Sequence, residues 1–308
     1  MADILCRPVN LEVAIGGGRL LLTEPLQVAT GGIVSNSGVA MARLGMKAAV
    51  FTYVGRDEWA RLIRGRLEAE GLDCTGLLEH PTASTSTTVV LIDPSGERSF
   101  AHCTGAPNLM DRRLFLDHLD QFARSRMTLI GYYSLTLPNL ESDLPEVLAA
   151  IRETGCKTAL DCAGSGGSMQ PLDKILPHLD VYVPSLNEAS HQTGLNDPRA
   201  ILDRYRSCGA AGLVGVKLGS KGVLLSPAAG EHIEIPAVSP PGEIMDTTGA
   251  GDCFYAGLLT GLLRGLDVRS AGLLGAAAGA CCITALGATA GIRDFAATAA
   301  LAGLKAGG

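Results

Sequence analysis

From residue 105 onward the chain alternates strand-like and helix-like segments, and this alternation constrains the fold more than any other feature. Apolar runs at 127–132, 157–162, 181–184, 213–218 and 222–225 have strand length. Helical patterns lie between them, such as 144–154 and 199–208. Strands alternating with helices predict an α/β fold, a mostly parallel sheet covered on both faces. In such sheets ligands bind beyond the carboxyl ends of the strands, where loops meet helix N-termini. Asp161 ends one of these strands. Hydrophobic residues make up 47% of the 308 and charged residues 18%, which supplies a large core and carries no disorder signature. The length fits one large domain or two.

The stretch Asp246-Thr247-Thr248-Gly249-Ala250-Gly251-Asp252 opens a helix. Apolar or small residues follow at helical spacing: Phe254, Gly257, Leu258, Gly261 and Leu262, with Gly265 placed to stop the helix. The first N–H groups of a helix lack intrahelical partners, and the helix dipole favours negative charge there. Small residues at 249–251 let a phosphate approach those N–H groups. A carboxylate at Asp252 would repel that anion unless it has a chemical task. Taking the proton from a hydroxyl that attacks a phosphoryl group is such a task. Read alone, the segment is also compatible with a helix-start acid beside packing glycines.

A formal net charge of −6, with no basic patch, argues against nucleic acid as a partner. The nine cysteines are scattered, with no Cys-x-x-Cys pair and no zinc-ligand spacing, which reads as reduced thiols in a cytoplasmic protein. The longest apolar run, around 271–290, is rich in Ala and Gly and suits a close-packed core helix better than a bilayer span, so no membrane association is expected.

The 246–252 string resembles the C-terminal signature of the ribokinase (PfkB-type) family of carbohydrate and nucleoside kinases. The resemblance implies a three-layer α/β/α domain with a mostly parallel central sheet, plus a small β-sheet lid. It also implies that the amides of Gly249, Ala250 and Gly251 form an anion hole and that Asp252 is the general base. Gly31-Gly32-Ile33-Val34-Ser35-Asn36, followed by an apolar helix face and Gly45, resembles the family's N-terminal signature in looser form. Gly31, Gly32 and Asn36 would then meet a polyol, since glycine lets backbone approach it and Asn both donates and accepts. Asp3 looks like the family's substrate-contact acid. The strand that precedes that acid in the family is then expected upstream of Met1.

Further correspondences follow in order. Residues 11–30, with Gly16-Gly17-Gly18 and Pro25, read as two or three short strands, and 85–92 with 98–103 as a hairpin. Residues 11–32 and 83–105 are assigned to the lid, where Arg98 and His102 would reach substrate or a partner subunit. Residues 1–10, 33–82 and 106–308 are assigned to the core. Asp57 serves as a helix cap or a ligand contact. In Ser185-Leu186-Asn187-Glu188 the family's Asn-x-x-Glu falls on Ser185 and Glu188, with Ser departing from the pattern and Asn187 a rival. Glu188 would act on Mg²⁺ through water. Lys217, Gly219 and Gly222 resemble the strand and turn that line the nucleotide phosphates, and a hairpin turn over 220–222 is compatible with that. Asp246 and Thr248, with backbone around 287–289, are candidates for K⁺.

The expected function is transfer of the ATP γ-phosphoryl group to a hydroxyl of a sugar or sugar-like alcohol, with ATP and Mg²⁺, and K⁺ as a candidate activator. A homodimer through the lid is a candidate assembly. A nucleoside kinase shares these parts, but the lid segments hold no aromatic cluster to receive a base. A non-catalytic sugar- or nucleotide-binding module is the alternative from another class, and the intact Asp252 argues against it.

Overall fold

The computed structural model describes residues 1–12, 16–18, 20–164 and 166–304. The N-terminal half runs β1 (Ala2–Cys6), β2 (Gln27–Thr30), α1 (Ile33–Arg43), β3 (Ala49–Val54), α2 (Glu58–Ala69), β4 (Asp73–Glu79), β5 (Thr87–Ile92) and β6 (Arg98–Cys103). Then come α3 (Arg112–Leu116), α4 (Leu119–Ala123), β7 (Met127–Ile130), α5 (Tyr133–Thr136), α6 (Leu144–Glu153), β8 (Lys157–Leu160), α7 (Met169–Ile175) and β9 (Val181–Tyr182). The chain continues through α8 (Leu186–Thr193), α9 (Pro198–Ser207), β10 (Leu213–Lys217), β11 (Val223–Ser226), β12 (Ile233–Ile235), α10 (Ala250–Leu263), α11 (Val268–Cys282) and α12 (Phe295–Leu301).

The largest sheet has the order β12-β11-β10-β9-β8-β7. β7 to β10 are parallel, and β11 and β12 extend the edge antiparallel. Helices cover both faces, as the strand–helix alternation predicts. On one face α6 buries Leu144, Val147, Leu148 and Ile151, the i, i+3, i+4, i+7 stripe of an amphipathic helix. Each such side chain contributes about 1.5–3 kcal/mol relative to exposure. On the other face Phe254, Tyr255, Leu258 and Leu259 of α10 pack on Val181, Val183 and Leu225.

The glycines of α10 now have a packing reason. A Cβ at Gly257 would sit 2.6 Å from Leu274 O, and one at Gly261 would sit 2.7 Å from Ala271 Cα. The backbones of α10 and α11 therefore approach closely. Tyr255 ties α10 to the sheet. Its hydroxyl donates to Leu160 O at 2.6 Å and accepts from Val183 N at 2.6 Å, at the carboxyl ends of β8 and β9. That anchor holds the first turn of α10 where ligands of this sheet type bind.

A second sheet has the order β2-β1-β5-β6, and β3 and β4 form a parallel pair packed against α1 and α2. β1 hydrogen-bonds β2 and β5, so residues 2–6, assigned to the core segment 1–10, pair with strands assigned to the lid. Within 11–30 the described residues form one strand, β2, in place of two or three; 13–15 and 19 lie outside the described residues. Leu20, Leu22 and Leu26 are exposed there.

Candidate active site

Asp252 lies in the first turn of α10 and is 4% exposed. Gly249 caps the helix at φ 78°, a left-handed conformation that favours glycine. It is also in close contact, since a Cβ there would sit 2.5 Å from Ala288 Cβ. Ala250 N–H makes only a long 3.3 Å bond to Thr247 O, and the next amides lack i−4 partners by helix geometry. The anion site expected at 249–251 is thus a helix start with donors to offer.

α1 brings the second half of the site. It packs on α10, and its first turns meet α10 through polar residues. Asn36 Nδ2 donates to Asp252 Oδ2 at 2.7 Å, and Ser37 Oγ donates to Asp252 O at 2.9 Å. Tyr132, at the end of β7, donates its hydroxyl to Oδ1 at 3.0 Å and Oδ2 at 2.8 Å. Its φ of 56° is a positive value at a non-glycine residue, and strained backbone of this kind clusters at functional sites. Burial pushes the Asp252 carboxyl above its ordinary value, while the Asn36 and Tyr132 bonds and Lys217 pull it back.

Asp3 and Asn36 each bury one oxygen, Oδ1, without a hydrogen-bond partner. A buried acceptor left unpaired is costly, so each oxygen is a place where a bound donor would be favoured. Gly31 has no side chain because one would collide with the Asp3 carboxylate. Gly32 caps α1 at φ 78°. Burial raises the Asp3 carboxyl, and nearby positive charge, Thr88 and His102 oppose that. His102 Nδ1 and Thr88 Oγ1 are 3.0 Å apart in the same sheet.

On the other side of Asp252, Lys217 ends β10. Its Nζ lies 3.4 Å from Asp161 Oδ1, 5.0 Å above the Tyr255 ring and 3.2 Å from where a Gly251 side chain would begin. A lysine cation therefore stands beside the expected anion site. Burial alone would lower its pKa, but Asp161, Glu188 and Asp252 outweigh that and hold it above its ordinary value. Burial pushes the Asp161 carboxyl up to about 7, against the pull of Lys217. The sequence placed Asp161 at a strand end without a role; the structure makes it the counter-ion of Lys217. Gly219 and Gly222 flank the turn that joins β10 to β11, a five-residue connection with a 3-10 turn over Gly219–Lys221.

Ser185 and Glu188 form a capping box on α8. Ser185 Oγ accepts from Glu188 N at 3.3 Å, and Glu188 Oε2 accepts from Ser185 N at 2.7 Å. Ser at this place, where the resemblance expects Asn, is a helix cap. Glu188 is half-buried and Asn187 exposed. Among the described residues no cluster of three or more His, Cys, Asp or Glu could hold a metal. A magnesium ion held by water and nucleotide phosphates, with one carboxylate acting through water, needs no such cluster, and Glu188 would be that carboxylate. Asp57 proves to be a helix cap, accepting from Ala60 N at 2.9 Å, and it also accepts from Thr85.

At Asp246 and Thr248, the candidates for K⁺, both side chains have a protein partner. The Arg98 guanidinium on β6 pairs with Asp246 Oδ2 at 2.9 Å and donates to Thr248 Oγ1 at 2.6 Å. Thr248 N–H and Gly287 N–H donate to the same carboxylate, each at 2.9 Å. Burial would raise the Asp246 carboxyl, but Arg98 and these N–H groups hold it below its ordinary value.

A buried carboxylate at a glycine-opened helix start, beside unpaired acceptors and a lysine, is an arrangement that suits phosphoryl transfer to a hydroxyl. The chain belongs to the pfkB family of carbohydrate kinases, whose family description, "pfkB family carbohydrate kinase", matches residues 9–294. It is 30% identical to a fructokinase of Vibrio alginolyticus, covering 78% of each chain. It is 28% identical to a ribokinase of Haemophilus influenzae, covering 89% of this chain and 88% of that one. A ribokinase of Arabidopsis thaliana, solved with ribose and ATP, superposes with a TM-score of 0.85 at 23% identity, over 99% of this chain and 96% of that one. The protein is an ATP-dependent carbohydrate kinase of the ribokinase-like fold. No described helix is long and apolar enough to cross a membrane.

Proposed function

We propose that Asp252 takes the proton from a sugar hydroxyl as that oxygen attacks the γ-phosphorus of ATP. The observation that carries this is the buried Asp252 carboxylate held by Asn36 and Tyr132 beside two unpaired buried acceptors. The substrate is a sugar or sugar-like alcohol, gripped by Asp3, Asn36 and the backbone of Gly31 and Gly32. Asn36 bridges the sugar and the base, since its Nδ2 is used on Asp252 and its Oδ1 is open to a hydroxyl. The N–H groups of Gly249, Ala250 and Gly251, with Lys217, stabilise the charge that develops on the transferred group. Ser185, Gly219 and Gly222 line the nucleotide side, with Glu188 placed to order the water shell of a metal. Magnesium, when bound with the nucleotide, neutralises charge on its phosphates. The lid is aromatic-poor, with Phe100 62% exposed and no described slot for a base, which favours a sugar over a nucleoside. The exposed edge strand β6 supports a homodimer formed through the lid. The test is ADP release from ATP over a panel of sugars, with Asp252→Asn as control. Failure to turn over any sugar, with nucleosides accepted instead, would overturn the substrate class.

A further inference from the structure

We infer that Arg98, delivered by lid strand β6, is a built-in cation that does at Asp246 what a monovalent metal ion would do. The inference rests on the kinase reading above, because the loop it concerns leads directly into the proposed anion site at 249–251.

Asp246 is 7% exposed, and a buried carboxylate needs compensation from charge or hydrogen bonds. Arg98 supplies both. Its Nη2 lies 2.9 Å from Asp246 Oδ2, and its Nη1 lies 2.6 Å from Thr248 Oγ1. One planar guanidinium thus joins the two side chains that could otherwise have faced a cation. Arginine stays protonated at any working pH, so the charge is permanent.

The neighbouring carbonyls meet thiols, which are weak donors. A monovalent ion in this loop would need backbone oxygens from Thr248 and from the 287–289 turn. Ala288 O lies 3.2 Å from the Cys253 sulfur and 3.1 Å from that of Cys282, whose single proton it shares with Thr248 O at 3.3 Å. Ala288 packs so closely on Gly249 that a Cβ there would lie 2.9 Å from Ala288 O. Because thiols donate weakly, once Arg98 is removed these carbonyls and the Asp246 carboxylate would be open to a monovalent cation.

The consequence is mechanical as well as electrostatic. Arg98 fixes Thr248, and Thr248 precedes the left-handed Gly249 that aims the anion-site amides. Arg98 is therefore a positioning residue: it sets the loop that sets the amides, and it does so from the lid. Docking of the lid and order in the anion site are coupled through this one side chain.

The test compares rates in KCl, NaCl and tetramethylammonium chloride at equal ionic strength, using ATP, magnesium and the best sugar of the panel. Wild type should run at the same rate in all three. Arg98→Ala should lose about 10²-fold in turnover, the scale of a misplaced reacting group, and regain much of it in KCl alone. Arg98→Lys, which keeps a charge, should stay indifferent to the salt. Thermal melting without nucleotide or sugar gives a second readout: KCl should raise the melting temperature of Arg98→Ala above its value in tetramethylammonium chloride, and should not do so for wild type. Activation of wild type by KCl overturns the inference. So does an Arg98→Ala enzyme that is equally slow, and equally melted, in every salt, since that is a structural ion pair and no more. A wild type that phosphorylates no sugar would sink the kinase reading, while the melting comparison would still decide the cation question.

Discussion

At Asp252 the electrostatics run against stability and in favour of chemistry. Burial raises its carboxyl, so its ionised form costs stability as pH rises through that raised value. Asp252→Asn removes the charge and keeps an acceptor for Asn36. Turnover should fall by about 10²–10⁴-fold, the range of general-base catalysis. ATP binding and melting temperature should hold or improve, because the amides of 249–251 remain and a repelling charge is gone. Turnover close to wild type would remove Asp252 as the base. Tyr132 makes a second residue-scale prediction. Its hydroxyl donates to both carboxylate oxygens and so favours the ionised base. Tyr132→Phe should push the Asp252 carboxyl still higher, and activity that needs the ionised form is lost as pH falls through that value. The acidic limb of the kcat–pH profile should therefore move to higher pH, and an unmoved limb would detach Tyr132 from the base. Asp252 was legible in the sequence because its neighbours form a contiguous string. Tyr132 was not, because a tyrosine at a strand end carries no local mark, and only the meeting of β7 with α10 gives it a partner.

The elements of the site are helix starts, and the strength of a sequence signal follows from how locally each start is built. α10 announces itself through Gly249, which is needed both for its left-handed backbone and for its contact with Ala288. α8 announces itself through Ser185 and Glu188, whose reciprocal capping bonds span three residues. The capping box accepts Gln as well as Glu at its third position. Glu188→Gln should thus leave the melting temperature almost unchanged while removing the charge proposed to act on the metal. Titration of activity with Mg²⁺ should show a raised half-saturation and a lower plateau for Glu188→Gln. Asn187→Ala, at an exposed position, should change both less. The reverse order would move the metal residue to Asn187 and show that the capping box is all Glu188 does. The Arg98 partner of Asp246 was hidden from the sequence for a different physical reason. A loop of carbonyls and one carboxylate leaves almost no side-chain trace, and its counter-charge comes from β6, 148 residues earlier in the chain by the numbers 246 and 98.

At the scale of the whole molecule, the α/β core was legible because strand–helix alternation is a repeated local pattern, whereas the lid had to be assembled from distant pieces. β1 joins it through a parallel pairing with β5, from Ala2 opposite Thr87 to Cys6 opposite Leu91, and no local signal in residues 2–6 names that partner. The exposed Leu20, Leu22 and Leu26 explain why the run before β2 imitates strands: it is apolar without being buried. These exposures also give the molecule-scale prediction. β6 is an edge strand, and five of its six residues are exposed, among them Phe100 at 62%. An exposed edge with apolar side chains is a template for pairing with another chain. A second copy of this chain, using the same lid, would cover it with the same chemistry on both sides, as a two-fold interface requires. Light scattering at micromolar concentration should report a dimer for wild type. Phe100→Glu places like charges opposite each other across that interface and should shift the population to monomer, with the melting of the isolated fold little changed because the residue is exposed in the monomer. A wild type that scatters as a monomer, or a Phe100→Glu dimer as tight as wild type, would take the lid out of the assembly and leave its exposed edge to another purpose.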